Sequence, residues 1–362
     1  MFDFDKFSVI RRFSDFTWLK EQLEAHYPGV IVPPLPEKLL VGRFSDEFVE
    51  SRRRGLEKFL NALASHVLLK ESQSLRVFLE ASEEAFARHR ASTATLVDNS
   101  ISTGFWEWAS EAGAKLTGQA SRSSLRERTP EDDRFDEAKR YVDGFEPHIG
   151  AVSKRASELV SRNREVANGL FEFGLAFGLL GQSEHGQLGT AMSQLGHCVD
   201  RLSVLAAEEA DKESLLFVEP IKHYVRLVSC VKQALDARTQ RQKAYEAALA
   251  DVMAKRLNKS RLQAQPNVGQ DRLQAAEQEV IRAEAKAEGA KEEFDLVTRR
   301  VLVEVERWKR EKLVDFKAII LEYVQLQIEH NQRVEEAWRS VLPDLQAIGG
   351  AHQRGTGGED GV

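Results

Sequence analysis

Cysteine is almost absent from this chain: Cys198 and Cys230 are the only two in 362 residues, they lack metal-ligand spacing, and both fall in apolar helical patterns. They read as buried thiols of a cytosolic protein. No run of about eighteen apolar residues and no signal peptide is found, so the expected membrane contact is peripheral. With 23 glycines and 9 prolines, the chain has too few of either for a mainly disordered protein. A net charge of only -6 gives no sign of bulk nucleic-acid binding. Catalytic machinery is missing too. His148, His185, His197, His223, His330 and His352 are scattered without metal spacing, and there is no nucleophile motif or phosphate-cradling glycine loop. The carboxylates alternate with lysines and arginines as they do on exposed helix faces. The reading is a protein without catalysis, metal or cofactor.

What is present starts with Arg11-Arg12-Phe13-Ser14-Asp15-Phe16, followed by Pro33-Pro34-Leu35-Pro36-Glu37-Lys38 and then Arg52-Arg53-Arg54. Cations and an aromatic ring are spread over a stretch that also carries strand, Pro-rich-loop and helix signals. Guanidinium forks hold phosphate oxygens bidentately, a lysine adds a point charge, and an aromatic face lies against a sugar-like ring. This is chemistry for a small phosphate-bearing ligand. Trp18, Leu19, Leu23, Phe48, Leu56, Phe59, Leu60 and Leu63 recur at helical spacings and read as core.

From about Ser82 the pattern changes to long helices. Ile101, Phe105, Trp108, Ala112 and Leu116 form one apolar face, either a short helix packed on its neighbours or an interfacial helix with Phe105, Trp106 and Trp108 at a lipid boundary. The polar stretch from Gly118 to Asp133 reads as a linker. Phe135, Ala138, Val142, Phe145, Ile149, Val152, Ala156, Leu159, Asn163, Val166, Leu170, Phe173, Phe177 and Leu180 then alternate three and four apart, with Asn163 alone breaking the seam. That heptad predicts a long helix packed lengthwise, with Asn163 as a register device and a bend at Pro147. A second long helix carries Leu188, Leu195, Val199 and Leu202, a kink at Pro220, then Ile221, Tyr224, Val228, Val231 and Leu235. A third carries Leu273, Val280, Ala283, Ala287, Ala290, Phe294, Val297, Val301 and Trp308. Helices of up to about seventy residues, roughly 100 Å long, bury their seams only in a bundle or a dimer. Lys255, Arg256, Lys259 and Arg261 lie beside the break between the second and third helices, with only Asp251 nearby in sequence.

The amino-terminal motifs resemble the phosphoinositide-binding PX domain. The stretches Leu170–Phe177 and Pro220–Leu227, and Asp315-Phe316-Lys317 with Glu322–Ile328, look like the sorting-nexin BAR domain. The resemblance covers nearly the whole chain to about Gly349 and is closest to the retromer-associated sorting nexins, those similar to sorting nexins one and two. It implies a mostly α protein: a small α+β PX domain over 1–82, an amphipathic helix and linker over 83–132, a three-helix BAR coiled coil over 133–348 forming a curved dimer, and a disordered tail over 349–362. The family normally has two strands and a turn upstream of the basic pair, where this chain has only Met1 to Ile10, so an amino-terminally truncated PX domain is expected. Carried over, Arg12 holds a 3-phosphate, Phe13 stacks on the inositol ring, Lys38 meets the 1-phosphate, and Arg52 or Arg53 holds ring hydroxyls, with Arg11 a flanking structural cation. Tip cations Lys255, Arg256, Lys259 and Arg261 would press on anionic headgroups. The implied partners are phosphoinositide-containing membranes, a second copy or another sorting nexin, and retromer subunits, with no nucleic acid. The implied location is cytoplasmic, peripheral on endosomes, in retrograde sorting. The competing reading is a soluble coiled-coil scaffold or tether without lipid specificity.

Overall fold

The computed structural model describes residues 8–37, 46–101, 126–265 and 269–348. Among these the regular structure is helical, with no strand, so the described part of the first domain does not display the α+β character expected from sequence. In chain order the elements are α1 (Phe13–His26), α2 (Asp46–Ser65), a 3-10 turn (Leu69–Glu71), α3 (Gln73–Glu80), α4 (Glu83–Ile101), α5 (Pro130–Ser183), α6 (Gly186–Glu213), a π-helical segment (Ser214–Val218), α7 (Glu219–Gln263) and α8 (Gln270–Ala347). The chain divides into two compact units, Met1–Gly144 with Arg226–Trp308, and Phe145–Val225 with Lys309–Val362.

In the first unit, α1 begins where the Asp15 carboxylate accepts the Arg12 backbone N–H at 2.7 Å, satisfying a donor that a helix start leaves without a partner. Its Phe16, Trp18, Leu19 and Leu23 pack with Phe59 and Leu63 of α2, Phe78 of α3 and Phe86 of α4. Trp18 and Phe59, expected from sequence to be core, are therefore inside, while the Phe48 side chain lies outside the described residues. The turn after α1 lies flat against α8. Gly29 sits at φ +84, and a Cβ there would come within 3.0 Å of the Val297 and Val301 side chains, so the position excludes any side chain on both counts.

Two residues on, the Ile31 N–H donates to Glu304 Oε2 at 3.1 Å. Glu304 Oε1 receives His66 Nε2 at 3.0 Å, and Arg307 Nη2 approaches Oε2 at 2.7 Å. His66 Nδ1 accepts the Leu68 and Leu69 N–H groups, which leaves Nε2 as the protonated nitrogen. Burial alone would raise the Glu304 pKa, but the hydrogen bonds of His66 and Arg307 overcome it and hold it at about 2.

Thr129 caps α5, with Asp132 accepting both its N–H (2.8 Å) and its hydroxyl (3.2 Å), and Glu131, Asp132 and Asp133 complement the helix dipole in the first turn. Asp132 is also gripped by Arg126 and Arg238, and the Arg238 guanidinium lies over the Phe135 and Phe294 rings. Ala248 and Val252 of α7 meet Ala283 and Ala287 of α8 in a small-residue contact.

The second unit divides the α5 seam in two. Ile149 and Ala156 are buried and Leu170 packs against Cys198, Leu202, Ala337 and Val341, whereas Val152, Leu159, Val166, Phe173 and Leu180, seven apart, are 43–57% exposed. Both Pro147 and Pro343 lie inside continuous helices, and Pro220 follows the π-helical segment. Asn163 falls on the inward half and donates to Glu213 Oε2 at 2.8 Å. Gln327 donates to Glu213 Oε1 (2.6 Å) and Glu209 Oε1 (3.1 Å), and His330 Nδ1 lies 3.7 Å from Glu209 Oε2. Two buried carboxylates one turn apart are thus met mainly by neutral amide donors.

Burial, and then the adjacent Glu213 charge, push the Glu209 pKa up to about 7 from 4.5. Folding disfavours the ionised form, so the penalty is absent below pH 4.5 and complete once the pH passes about 7. Glu209→Gln is expected to raise the thermal midpoint at pH 8, with the gain disappearing near pH 5, as read by paired melting curves.

Candidate functional site

The basic pair has two different fates. Arg11 donates from Nε to Phe78 O (2.8 Å) and from Nη2 to Ala81 O (2.6 Å), at the carboxyl end of α3, and its guanidinium lies 4.4 Å from the Phe86 ring centroid. It satisfies carbonyls that the helix end leaves open and favours the negative pole of the helix dipole. This is the structural role expected of it. The Arg12 side chain points outward, 82% exposed, with the Glu83 carboxylate 4.0 Å away. It lines an open cleft with Ser14, Asp15, Glu83, Phe86 and Arg90, and Arg90 is fixed there by a 2.8 Å bond to Asp15.

Arg52, on α2, brings its guanidinium to 4.0 Å from the Phe13 ring centroid, a cation–π stack that joins two of the sequence-predicted residues. Arg53, the alternative to Arg52, has its fork engaged within its own helix by Glu50 (2.8 Å) and Glu57 (3.0 Å), and Arg54 also binds Glu50. Those guanidinium bonds hold the Glu50 carboxyl at about 2. The Pro-rich loop closes on α2 three residues past Arg52: a Cβ on Gly55 would lie 2.9 Å from Pro36 Cβ. Lys38 and the aromatic trio Phe105, Trp106 and Trp108 lie outside the described residues.

The tip cations need a correction. Sequence proximity offered only Asp251 as an opposing charge, but Lys255 pairs with Glu279 (2.9 Å), Arg256 with Glu284 (2.6 Å) and Lys259 with Glu277 (2.8 Å), all from α8, while Arg261 is exposed. The α7–α8 hairpin brings together charges that are far apart in sequence. Exposed pairs of this kind contribute at most about 1 kcal/mol each, so they moderate the tip's field without locking the cations away.

Sequence reasoning missed Glu304. Its signal was an acid in an apolar seam: Val297, Val301, Glu304 and Trp308 follow the four-three-four spacing of the buried face. No group of His, Cys, Asp and Glu among the described residues is arranged to hold a metal. No helix among the described residues is long and apolar enough to cross a membrane.

Residues 111–344 match the family model described as Vps5 C terminal like, and residues 1–82 match the PX domain. Sorting nexin 1 of Arabidopsis thaliana is 33% identical over 343 residues, which is 94% of this chain and 83% of that protein. Sorting nexin-2 of Bos taurus is 29% identical over 361 residues and sorting nexin-1 of Mus musculus 30% over 363, and the chain spans 67% and 66% of their lengths. The solved structure described as the cryo-EM structure of the SNX-BAR Mvp1 tetramer aligns with a TM-score of 0.65 at 16% identity, covering 94% of this chain and 90% of that one, a likeness of fold alone.

The division of labour between the two arginines has a direct test. Arg11→Ala is expected to destabilise the protein by about 2 kcal/mol, the loss of charged hydrogen bonds to buried-end carbonyls. Arg12→Ala should change stability by less than about 0.5 kcal/mol. Chemical denaturation of the two variants checks both.

Proposed function

The chain belongs to the PX–BAR sorting nexins, a family of non-enzymatic membrane-trafficking adaptors, and on that premise we propose that it binds phosphatidylinositol 3-phosphate and, as a dimer, senses or induces curvature on endosomal membranes in retromer-type retrograde sorting. The observation that carries the reading is Arg12. Beside an arginine wholly engaged in the fold stands one whose guanidinium is left to solvent, next to an aromatic ring already stacked on a second arginine. In this reading Arg12 receives the 3-phosphate, Phe13 faces the inositol ring, Lys38 meets the 1-phosphate and Arg52 the ring hydroxyls. Phe105, Trp106 and Trp108, and the cations Lys255, Arg256, Lys259 and Arg261, then contact the bilayer, the tip acting through a field tempered by its glutamates.

The exposed half of the α5 seam supports the dimer. Val152, Leu159, Val166, Phe173 and Leu180 make a regular apolar stripe, and α8 adds Leu313, Val314, Leu321, Val324 and Ile328. A heptad stripe left in water is what a second helical body covers. The partner is a second copy or another sorting nexin, and retromer subunits are the further partner this reading implies.

Sedimentation with liposomes of two diameters, with and without phosphatidylinositol 3-phosphate, tests the proposal. Binding that needs the lipid and favours small vesicles is expected, and Arg12→Ala should weaken the lipid-dependent part about 10-fold or more. Indifference to liposomes of either kind would instead favour a soluble scaffold. For the dimer, Val166→Asp with Phe173→Asp should halve the mass in light scattering while helicity persists.

A further inference from the structure

The loop between α1 and α2 carries the Pro33-Pro34-Leu35-Pro36 run, and at both ends its polar contacts go to the long helices. At its start, the Ile31 N–H reaches across to Glu304 of α8 at 3.1 Å. At its end, Glu37 accepts from Arg226 Nη1 of α7 at 3.2 Å. Between these points Pro36 is pressed on Gly55 of α2, so the loop is held between the helix that carries Arg52 and the helices that carry Glu304 and Arg226. The turn before it is flush with Val297 and Val301. All of these groups lie in one compact unit.

We propose that Arg226 and Glu304, on helices outside the domain that reads the headgroup, are positioning residues for the Pro-rich loop that braces the Arg52 helix. The inference rests on the lipid-binding reading above. A proline-rich loop has little backbone freedom left to lose, so fixing its two ends fixes what lies between them, including Pro36 against the helix that carries Arg52. Glu304 supplies the buried and rigid anchor. Arg226 supplies the more adjustable one: its own side chain is 24% exposed, but its partner Glu37 is 58% exposed and can be exchanged without opening the core. The helical body is then a working part of headgroup recognition: a change in α7 or α8 alters lipid affinity without touching a lipid-contacting residue.

A charge swap in the full chain tests this. Arg226→Glu and Glu37→Arg are each made alone and then together. Binding is measured on vesicles carrying phosphatidylinositol 3-phosphate and on control vesicles of matched charge carrying phosphatidylserine. Each single variant is expected to lose about threefold in binding specific to the phosphoinositide, within the range of one surface pair, and Glu37→Arg, made at the exposed end, should keep its melting midpoint. The double variant should recover to within about twofold of the parent, because the pair is restored with reversed polarity. Glu37→Arg is the decisive arm: simple attraction to an anionic surface would make it bind better, whereas loss of positioning makes it bind worse. Unchanged or improved binding by Glu37→Arg, or a double variant as weak as the singles, overturns the positioning role. If the parent chain itself does not distinguish the two vesicle types, the lipid reading fails and this inference falls with it.

Discussion

The buried carboxylate of Glu304 is the constraint on which the arrangement of the first unit depends. An ionised group only a few per cent exposed carries a desolvation cost of several kcal/mol, and it persists only where donors surround it. Here the donors come from separate places in the chain: the Ile31 backbone, the His66 ring and Arg307 one turn along α8. None of these groups can shift without leaving a charge uncompensated, which in a buried pair costs about 3–5 kcal/mol. The direction of the pKa fits: the charge is retained down to about 2, so its stabilising effect is complete above pH 4.5 and is lost only in acid. Gly29 allows the backbone approach that brings Ile31 within reach, and the His66 tautomer is set by the amides of Leu68 and Leu69.

The same separation of inward and outward groups recurs at larger scale. Arg11 and Arg12 are adjacent, yet the first closes a helix end and the second faces solvent, because the backbone is still extended at Arg12, before α1 starts at Phe13, and successive side chains of extended backbone point to opposite sides. In α5 the two halves of one heptad are treated likewise, with Ile149 and Ala156 inside and Val152 and Leu159 outside. A seam in which only one half is covered by its own chain is what a helical body built for association requires.

How much of this could be read from sequence depended on how local the cause was. The long helices were legible because a three-four spacing kept up from Phe135 to Leu180 admits no other regular structure, and the arginine–aromatic order was legible because its residues are close together in sequence. Which half of the α5 seam faces inward was not, since the inward half is the less apolar one, carrying Asn163, and what decides is what packs against each half. The Lys255–Glu279 and Arg256–Glu284 pairs were invisible for the same reason: they depend on how α7 and α8 align after the chain reverses. Glu304 was half visible, as an acid standing in an apolar series, but His66 and Ile31 are more than two hundred residues away and no local pattern links them to it.

The polar cluster in the second unit supplies something the apolar seam lacks. Heptads of Val, Leu and Phe tolerate sliding, because a shift of seven residues, about 10 Å along a helix, replaces one apolar contact with another. Glu213 does not tolerate it. One of its oxygens needs Asn163 of α5 and the other needs Gln327 of α8, and in any other alignment a carboxylate would be buried against side chains with nothing to donate. Beside it, burial and the Glu213 charge push the Glu209 pKa up, so even the native alignment carries a cost there. The cluster thus weakens the bundle slightly while selecting one axial register of α5, α6 and α8.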